Sequence, residues 1–263
     1  MAIARGFGIA GAVDHQVAAR LAVAAEAAGY ATFWANDTPG GDGLGSLAAA
    51  AAVTTSIQLG VGVIPIDRQP GDVIARRVIE LHLPQDRVIL GIGSGGLVHG
   101  ARDAVRVGAL LLRERLSATI VVGALGPRMC EIAGEVADGV LLNWLTPDYM
   151  PVLAEITRGA AEQAGRPAPW IGAYVRVALD GPAIDRLEEE SARYASYPQY
   201  AAHFERMGVP AIGTCAMGNS SQIQFGLNAF AFGADEIVVR AIASAETENA
   251  YLELLQAAAP KES

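Results

Sequence analysis

The residues of this chain that could do chemistry cluster just after a series of short apolar runs. Asn36-Asp37-Thr38-Pro39, Pro65-Ile66-Asp67-Arg68, Gly93-Ser94-Gly95-Gly96, Ala124-Leu125-Gly126-Pro127-Arg128 and Trp144-Leu145-Thr146-Pro147 are rich in glycine and hydroxyls. Their charges are Asp37, Asp67, Arg68 and Arg128. Gly123-Ala124-Leu125-Gly126-Pro127-Arg128-Met129 gives the better anion signal: an apolar run enters a glycine turn, and Pro127 fits the first position of a helix. Exposed amides and the positive helix end suit a phosphate there, and Arg128 can add a charge-assisted contact. An ordinary strand–turn–helix with a proline start has the same spacing, so both readings stand.

Gly91-Ile92-Gly93-Ser94-Gly95-Gly96 formally matches the dinucleotide fingerprint. It falls in the fourth strand–helix unit rather than the first, and Glu114, at the distance of the ribose-binding acid, lies in a helical stretch. The segment also nearly fits a nucleophile elbow around Ser94, but Ile92 takes the first glycine position and no Asp and His follow at strand ends. The preferred reading is a glycine loop where a ligand ring passes close to backbone. His15, His82, His99 and His203 show no metal-ligand spacing. Cys130 reads as a small core residue, Glu188-Glu189-Glu190 as a solvated helix face, and Tyr194, Tyr197 and Tyr200 as packing. Arg176, inside an apolar run, would point into a barrel and need Asp37, Glu26 or a bound anion as partner.

The elements that must position these groups alternate from end to end. Apolar runs at Arg5–Ile9, Ala31–Ala35, Gln58–Ile64, Arg87–Gly91, Ala118–Gly123, Gly139–Asn143, Trp170–Leu179 and Glu236–Ala241 read as strands covered on both faces. Helical stretches separate them, the clearest being Val13 to Ala28, with Asp14 as N-cap and Gly29 as the stop. Eight strands in 263 residues give roughly 33 residues per unit, the spacing of a (β/α)₈ TIM barrel. A doubly wound sheet shares the alternation. No linker composition divides the chain, so residues 1–263 read as one domain.

Composition bounds the function. Side chains are 52% hydrophobic and 18% charged, enough for a large core. The 19 basic and 28 acidic residues give −9, which argues against nucleic acid or an anionic membrane as partner. Two cysteines make no disulfide framework. The uncharged run Gly43 to Ile66 is long enough to span a bilayer, yet Thr54-Thr55-Ser56 and its glycines break it into a buried helix, a turn and a buried strand. No secretory signal pattern opens the chain, and a cytoplasmic location is the expectation.

Taken in order, these residues resemble the bacterial luciferase-like superfamily, within it the branch of deazaflavin (coenzyme F-420) dependent oxidoreductases. The resemblance runs through Ala25-Glu26-Ala27-Ala28-Gly29-Tyr30, Trp34-Ala35-Asn36-Asp37, Leu59-Gly60-Val61-Gly62-Val63-Ile64-Pro65, Asp86 to Gly95 and Ala124 to Met129. Its most specific piece is Ala137-Asp138-Gly139-Val140-Leu141-Leu142-Asn143-Trp144. It implies a (β/α)₈ barrel with a ring cofactor at the strand ends passing a hydride to or from a small organic substrate. A bulge at Gly62, Val63 and Ile64, with a cis Gly62–Val63 peptide, would back the ring. Gly93, Ser94, Gly95 and Asn143 would border it, and Gly123 to Met129 would hold its phosphate. Asp37 and Thr38 would be the catalytic pair.

Where a sugar-phosphate-oxidising branch has histidine after the second-strand aspartate this chain has Thr38, and where that branch has glutamate after the glycine loop it has Gly96. Alcohol oxidation then lacks its base, whereas reduction of an activated double bond asks less. Only about 20 residues separate the glycine loop from the fifth strand, too few for the family's usual lid, so the mouth would be open or covered by a partner subunit. The expected activity is therefore an F-420-dependent reductase. An FMN-dependent monooxygenase and a noncatalytic flavin-binding barrel are the alternatives. A homodimer is expected, with close helix contact along Leu47–Val53.

Overall fold

In a computed structural model that describes residues 3–261, strands and helices alternate from β1 (Ala4–Ile9) onward. They are α1 (His15–Ala27), β2 (Thr32–Ala35), α2 (Gly43–Ala51), β3 (Gln58–Pro65), α3 (Gly71–Glu80), β4 (Val88–Gly93) and α4 (Ala101–Arg115). Next come β5 (Thr119–Ala124), α5 (Pro127–Val136), β6 (Gly139–Asn143), α6 (Met150–Gln163) and β7 (Trp170–Leu179). Two helices in tandem follow, α7 (Pro182–Ala195) and α8 (Pro198–Met207). The chain then forms β8 (Ala216–Gly218), α9 (Ser220–Ala229), β9 (Glu236–Ile242) and α10 (Glu248–Ala257).

Parallel pairing runs in order from β1 to β7, then to β9 and back to β1, closing an eight-stranded α/β barrel. The short β8 sits outside this circuit. It pairs with Val177–Leu179 on the edge that β6 leaves after Asn143. All eight expected strands are present. No apolar pattern announced β8, which is only three residues long.

Strand alternation sorts the side chains into two cores. Trp34, Ile89, Val121, Leu141, Tyr174 and Val238 fill the barrel, while their chain neighbours pack outward against the helices. Fully burying a Leu, Ile or Phe contributes ~1.5–3 kcal/mol, and the outer layer holds many of them. Trp34 stacks on Trp170 at 6.0 Å between ring centroids. Gly60 makes room for it: a β-carbon there would fall 2.3 Å from the indole.

Local signals did their work at the helix starts. Asp14 accepts from the amides of Gln16 and Val17 to cap α1. Gly29 follows the helix with φ +81°, a conformation glycine adopts freely. The uncharged run from Gly43 resolves into α2, a turn and β3, and among the described residues no helix is long and apolar enough to cross a membrane. In the stretch Leu47–Val53, Leu47 and Ala50 are buried in the chain's own core and Val53 is exposed.

Candidate active site

A cavity of about 840 Å³ opens at the carboxyl ends of the strands, where barrel ligands bind and within the size range of small-molecule sites. Its lining brings together Asp37, Thr38, Gly62, Val63, Gly93, Ser94, Gly95, Asn143 and the whole turn from Gly123 through Ala124, Leu125, Gly126, Pro127 and Arg128 to Met129. Ile64 is the exception. It is fully buried in the outer core, because pairing between β3 and β4 shifts between Val61 and Ile64. The bulge turns two successive residues, Gly62 and Val63, toward the cavity and sends Ile64 back to the helices. The Gly62–Val63 peptide is cis, as expected.

The glycines around this floor serve Val63. A β-carbon at Gly93 or Gly123 would lie 2.8 Å from a Val63 methyl, and one at Gly62 would lie 2.9 Å from Leu141. Three strands thus give up their side chains so that one small residue stands in a flat backbone surface. Gly95 has a different reason: its φ is +60°, and a β-carbon would collide with the Asp67 carboxylate. Asp67 accepts from the Gly96 amide at 2.9 Å and so ties the loop after β4 to the loop after β3.

Asp37 is buried and committed. Its carboxylate accepts from Arg68 at 2.7 Å, from Gln69 through both oxygens and from the Gly43 amide. That network fixes the wall that carries Thr38. Tyr174, which sequence reasoning passed over, stands on the floor with its hydroxyl donating to Asn36 Oδ1. Burial pushes its phenol up to about 12, so it keeps its proton at neutral pH.

Part of the mouth is covered by this chain itself. Between β4 and β5 there is only a loop and α4, but the tandem helices after β7 supply Tyr194, Gln199, Tyr200 and Arg206 to the cavity. Tyr194 and Tyr200 pack edge-on at 4.9 Å and line the site, whereas Tyr197 is exposed and does not. Cys130 is buried and its thiol is pushed up to about 12 by burial, a core residue as read.

The turn from Gly123 to Met129, where the sequence pattern suits a phosphate, acquires a second cation that the sequence did not reveal. His203, fully enclosed, donates from Nε2 to the Trp144 carbonyl at 2.8 Å and accepts from Arg206 at Nδ1. Burial lowers its pKa, which keeps the ring neutral and able to accept. The held guanidinium reaches over the turn, 3.0 Å from where a Gly126 β-carbon would stand. Among the described residues, no carboxylate pairs with Arg102, Arg128 or Arg206. Pro127 opens α5 as expected, with Gly126 extended at φ −156°. Gly126→Ala therefore meets only the flexible end of Arg206. The variant should fold normally and lose about three-fold in cofactor affinity, less than 1 kcal/mol. A loss of about a hundred-fold in the same titration would mean that the backbone at 126 itself touches the phosphate.

Two further expectations need correction. Arg176 pairs with neither Asp37 nor Glu26; it donates to Glu190 from Nε and to Asn143 from Nη1, each at 2.7 Å. Glu190 is thus not part of a solvated face, although Glu188 and Glu189 are exposed. Glu26 instead accepts from the amides of Thr55, Ser56 and Ile57, which hold its carboxyl down at about 2.

The family model described as luciferase-like monooxygenase matches residues 5–109 and 106–259. A 5,10-methylenetetrahydromethanopterin reductase from Methanolobus tindarius is 27% identical over 229 residues, covering 73% of this chain and 68% of that protein. Among solved structures, an F-420-dependent secondary alcohol dehydrogenase in complex with an F-420–acetone adduct superposes with a TM-score of 0.75 at 13% identity, covering 98% of this chain and 99% of that one. The oxygenating constituent of 3,6-diketocamphane monooxygenase from Pseudomonas putida, in complex with FMN, gives 0.69 at 14% identity, covering 98% and 97%. These structures share the fold.

Proposed function

This chain belongs to the luciferase-like monooxygenase family of oxidoreductases, and on that footing we propose that it is a coenzyme F-420-dependent reductase acting on a small organic substrate. The observation that carries the reading is the set of guanidinium groups of Arg102, Arg128 and Arg206 on one cavity, none with a carboxylate partner among the described residues, in a chain of net charge −9. Such local concentration of positive charge against the global sign is a selective feature for a polyanion. FMN ends at one phosphate, whereas the deazaflavin side chain continues past its phosphodiester into a run of carboxylates. Two names support the reading: one relative is a 5,10-methylenetetrahydromethanopterin reductase, and one solved structure of the same fold is an F-420-dependent alcohol dehydrogenase.

The residues present fit the group. The flat floor of Gly62 and Val63, cleared by Gly93 and Gly123, suits a planar ring. The amides of the turn at 123–128 with Arg128 and Arg206 suit its phosphate, and Arg102 suits its tail. When bound, the deazaflavin supplies the carbon that gives or takes a hydride. The protein orients the reactants and keeps water out. Tyr194 and Tyr200 roof the floor, Asp37 holds the Thr38 wall through Arg68 and Gln69, and Tyr174, neutral and hydrogen-bonded to Asn36, completes the floor. Thr38 and Gly96 offer no base for removing an alcohol proton, which favours the reductive direction.

Reaction assays separate this reading from an oxygenase. Under argon, reduced F-420 should be oxidised in the presence of an activated alkene or enone, with no consumption of oxygen when air is admitted. If reduced FMN plus protein takes up oxygen beyond the autoxidation of free flavin, while F-420 stays reduced with every acceptor, the protein is an FMN-dependent monooxygenase instead.

A further inference from the structure

Arg176 and Arg240 occupy directly paired positions on β7 and β9. Alternation from Tyr174 and Val238, which fill the barrel, turns both arginines inward, one layer nearer the mouth. Like charges at paired positions repel, and both groups are buried, Arg176 at 3% exposure and Arg240 at 8%. Burial of this kind demands compensation.

Among the described residues, one carboxylate supplies it. Glu190 accepts from Arg176 at 2.7 Å and stands 3.8 Å from Arg240 and 3.8 Å from Arg193. Asp37 is taken by Arg68, and Glu246 is engaged by Arg186 and the Tyr251 hydroxyl. The remaining titratable neighbours of the pair are the phenols of Tyr174, Tyr194, Tyr200 and Tyr251 and the Cys215 thiol, and burial raises Tyr174, Tyr200, Tyr251 and Cys215 above their ordinary values. Three guanidinium groups therefore share one carboxylate, and the cluster carries excess positive charge beside the cavity. Arg176 is also held rigidly. Its guanidinium lies 3.5 Å from the Trp144 ring centroid and 4.9 Å from that of Tyr194, and Nη1 is spent on Asn143. Arg176 borders the cavity, and Nη2 has no partner among the described residues.

We propose that Arg176 heads a carboxylate subsite, so that the substrate of this cavity is a small organic acid whose carboxylate binds Nη2 beneath Tyr194. The subsite lies on β7 and β9, two and three strands round the rim from the phosphate turn after β5. Cofactor and substrate then hold separate anion sites with the ring floor between them. The inference rests on the proposed oxidoreductase reading for its biological use, but its test requires no cofactor.

Titrating the protein with crotonate and benzoate, and with crotonamide and benzamide as neutral counterparts, tests it by calorimetry. The acids should bind about ten- to a hundred-fold more tightly than the amides, the worth of one charge-assisted hydrogen bond. Arg176→Gln should abolish that preference and Arg176→Lys should restore part of it. Glu190 keeps Arg240 and Arg193 as partners in both variants, and a thermal melt checks that they fold. Equal affinity for acid and amide, or a preference that survives Arg176→Gln, overturns the proposal. So does exclusion of crotonate by saturating F-420, which would place Arg176 in the cofactor's own site. Retained preference for acids in a protein that binds neither F-420 nor FMN would leave the subsite standing and sink the cofactor reading alone.

Discussion

Removing both free cations from the phosphate turn, as Arg128→Ala with Arg206→Ala, should weaken F-420 binding by about a hundred- to a thousand-fold. Each charge-assisted contact is worth about 1.5–3 kcal/mol, and two contacts on one phosphate combine less than additively. The single variants should each lose about ten-fold or more. Both variants should fold, because both side chains are exposed and neither is engaged by a carboxylate among the described residues; Arg206→Ala also removes the donor to His203 Nδ1 and costs about 1 kcal/mol of stability. Arg102→Ala adds a distinction: it should weaken F-420, whose charged tail passes it, and leave FMN nearly unaffected. Equilibrium titration of the folded double variant at wild-type affinity would move the phosphate elsewhere, with the Ser94 loop the next place to look.

The second large effect lies at the other end of the barrel. Glu236 opens β9 with 3% exposure, accepting from the Thr32 hydroxyl, which itself accepts from the Trp34 indole at 2.6 Å. Burial raises its carboxyl to about 7, against an ordinary value of 4.5. Below about pH 4.5 the group is protonated in both folded and unfolded chains and costs nothing. As pH rises from there to about 7 the unfolded chain ionises first, so folding stability falls, and the loss is complete above that range. Glu236→Gln keeps an acceptor for Thr32 and removes the ionisation. The variant should gain up to about 3 kcal/mol over the unsubstituted protein between pH 4.5 and pH 8. Urea unfolding at a series of pH values reads this directly, and parallel stability curves for the two proteins would contradict it.

Much of the fold was legible because parallel strands buried on both faces must be apolar at successive positions, and Trp170–Leu179 and Gly139–Asn143 are bounded as the sequence pattern bounds them. The site followed from geometry, since residues after strand ends must meet at one mouth. What stayed hidden depended on contacts between segments distant in the chain. Nothing local says that α8 returns over the β5 turn to set Arg206 above Gly126, or that Glu190 on α7 reaches Arg176 on β7. Glu188-Glu189-Glu190 looks uniformly solvated until the helix is docked. Ile64 failed for a different reason: a one-residue bulge reverses the alternation beyond it, and the pattern of Gln58–Ile64 carries no mark of where the bulge falls.

The central claim is that the cavity selects a deazaflavin over a flavin through its arginines. Competition between F-420 and FMN for the purified protein at fixed ionic strength tests it most directly, read by quenching of each cofactor's fluorescence. F-420 should bind at least about ten-fold more tightly, and its advantage should shrink with added salt as screening weakens the contacts of its charged tail. FMN binding as tightly as F-420, with no dependence of the ratio on salt, would contradict the account.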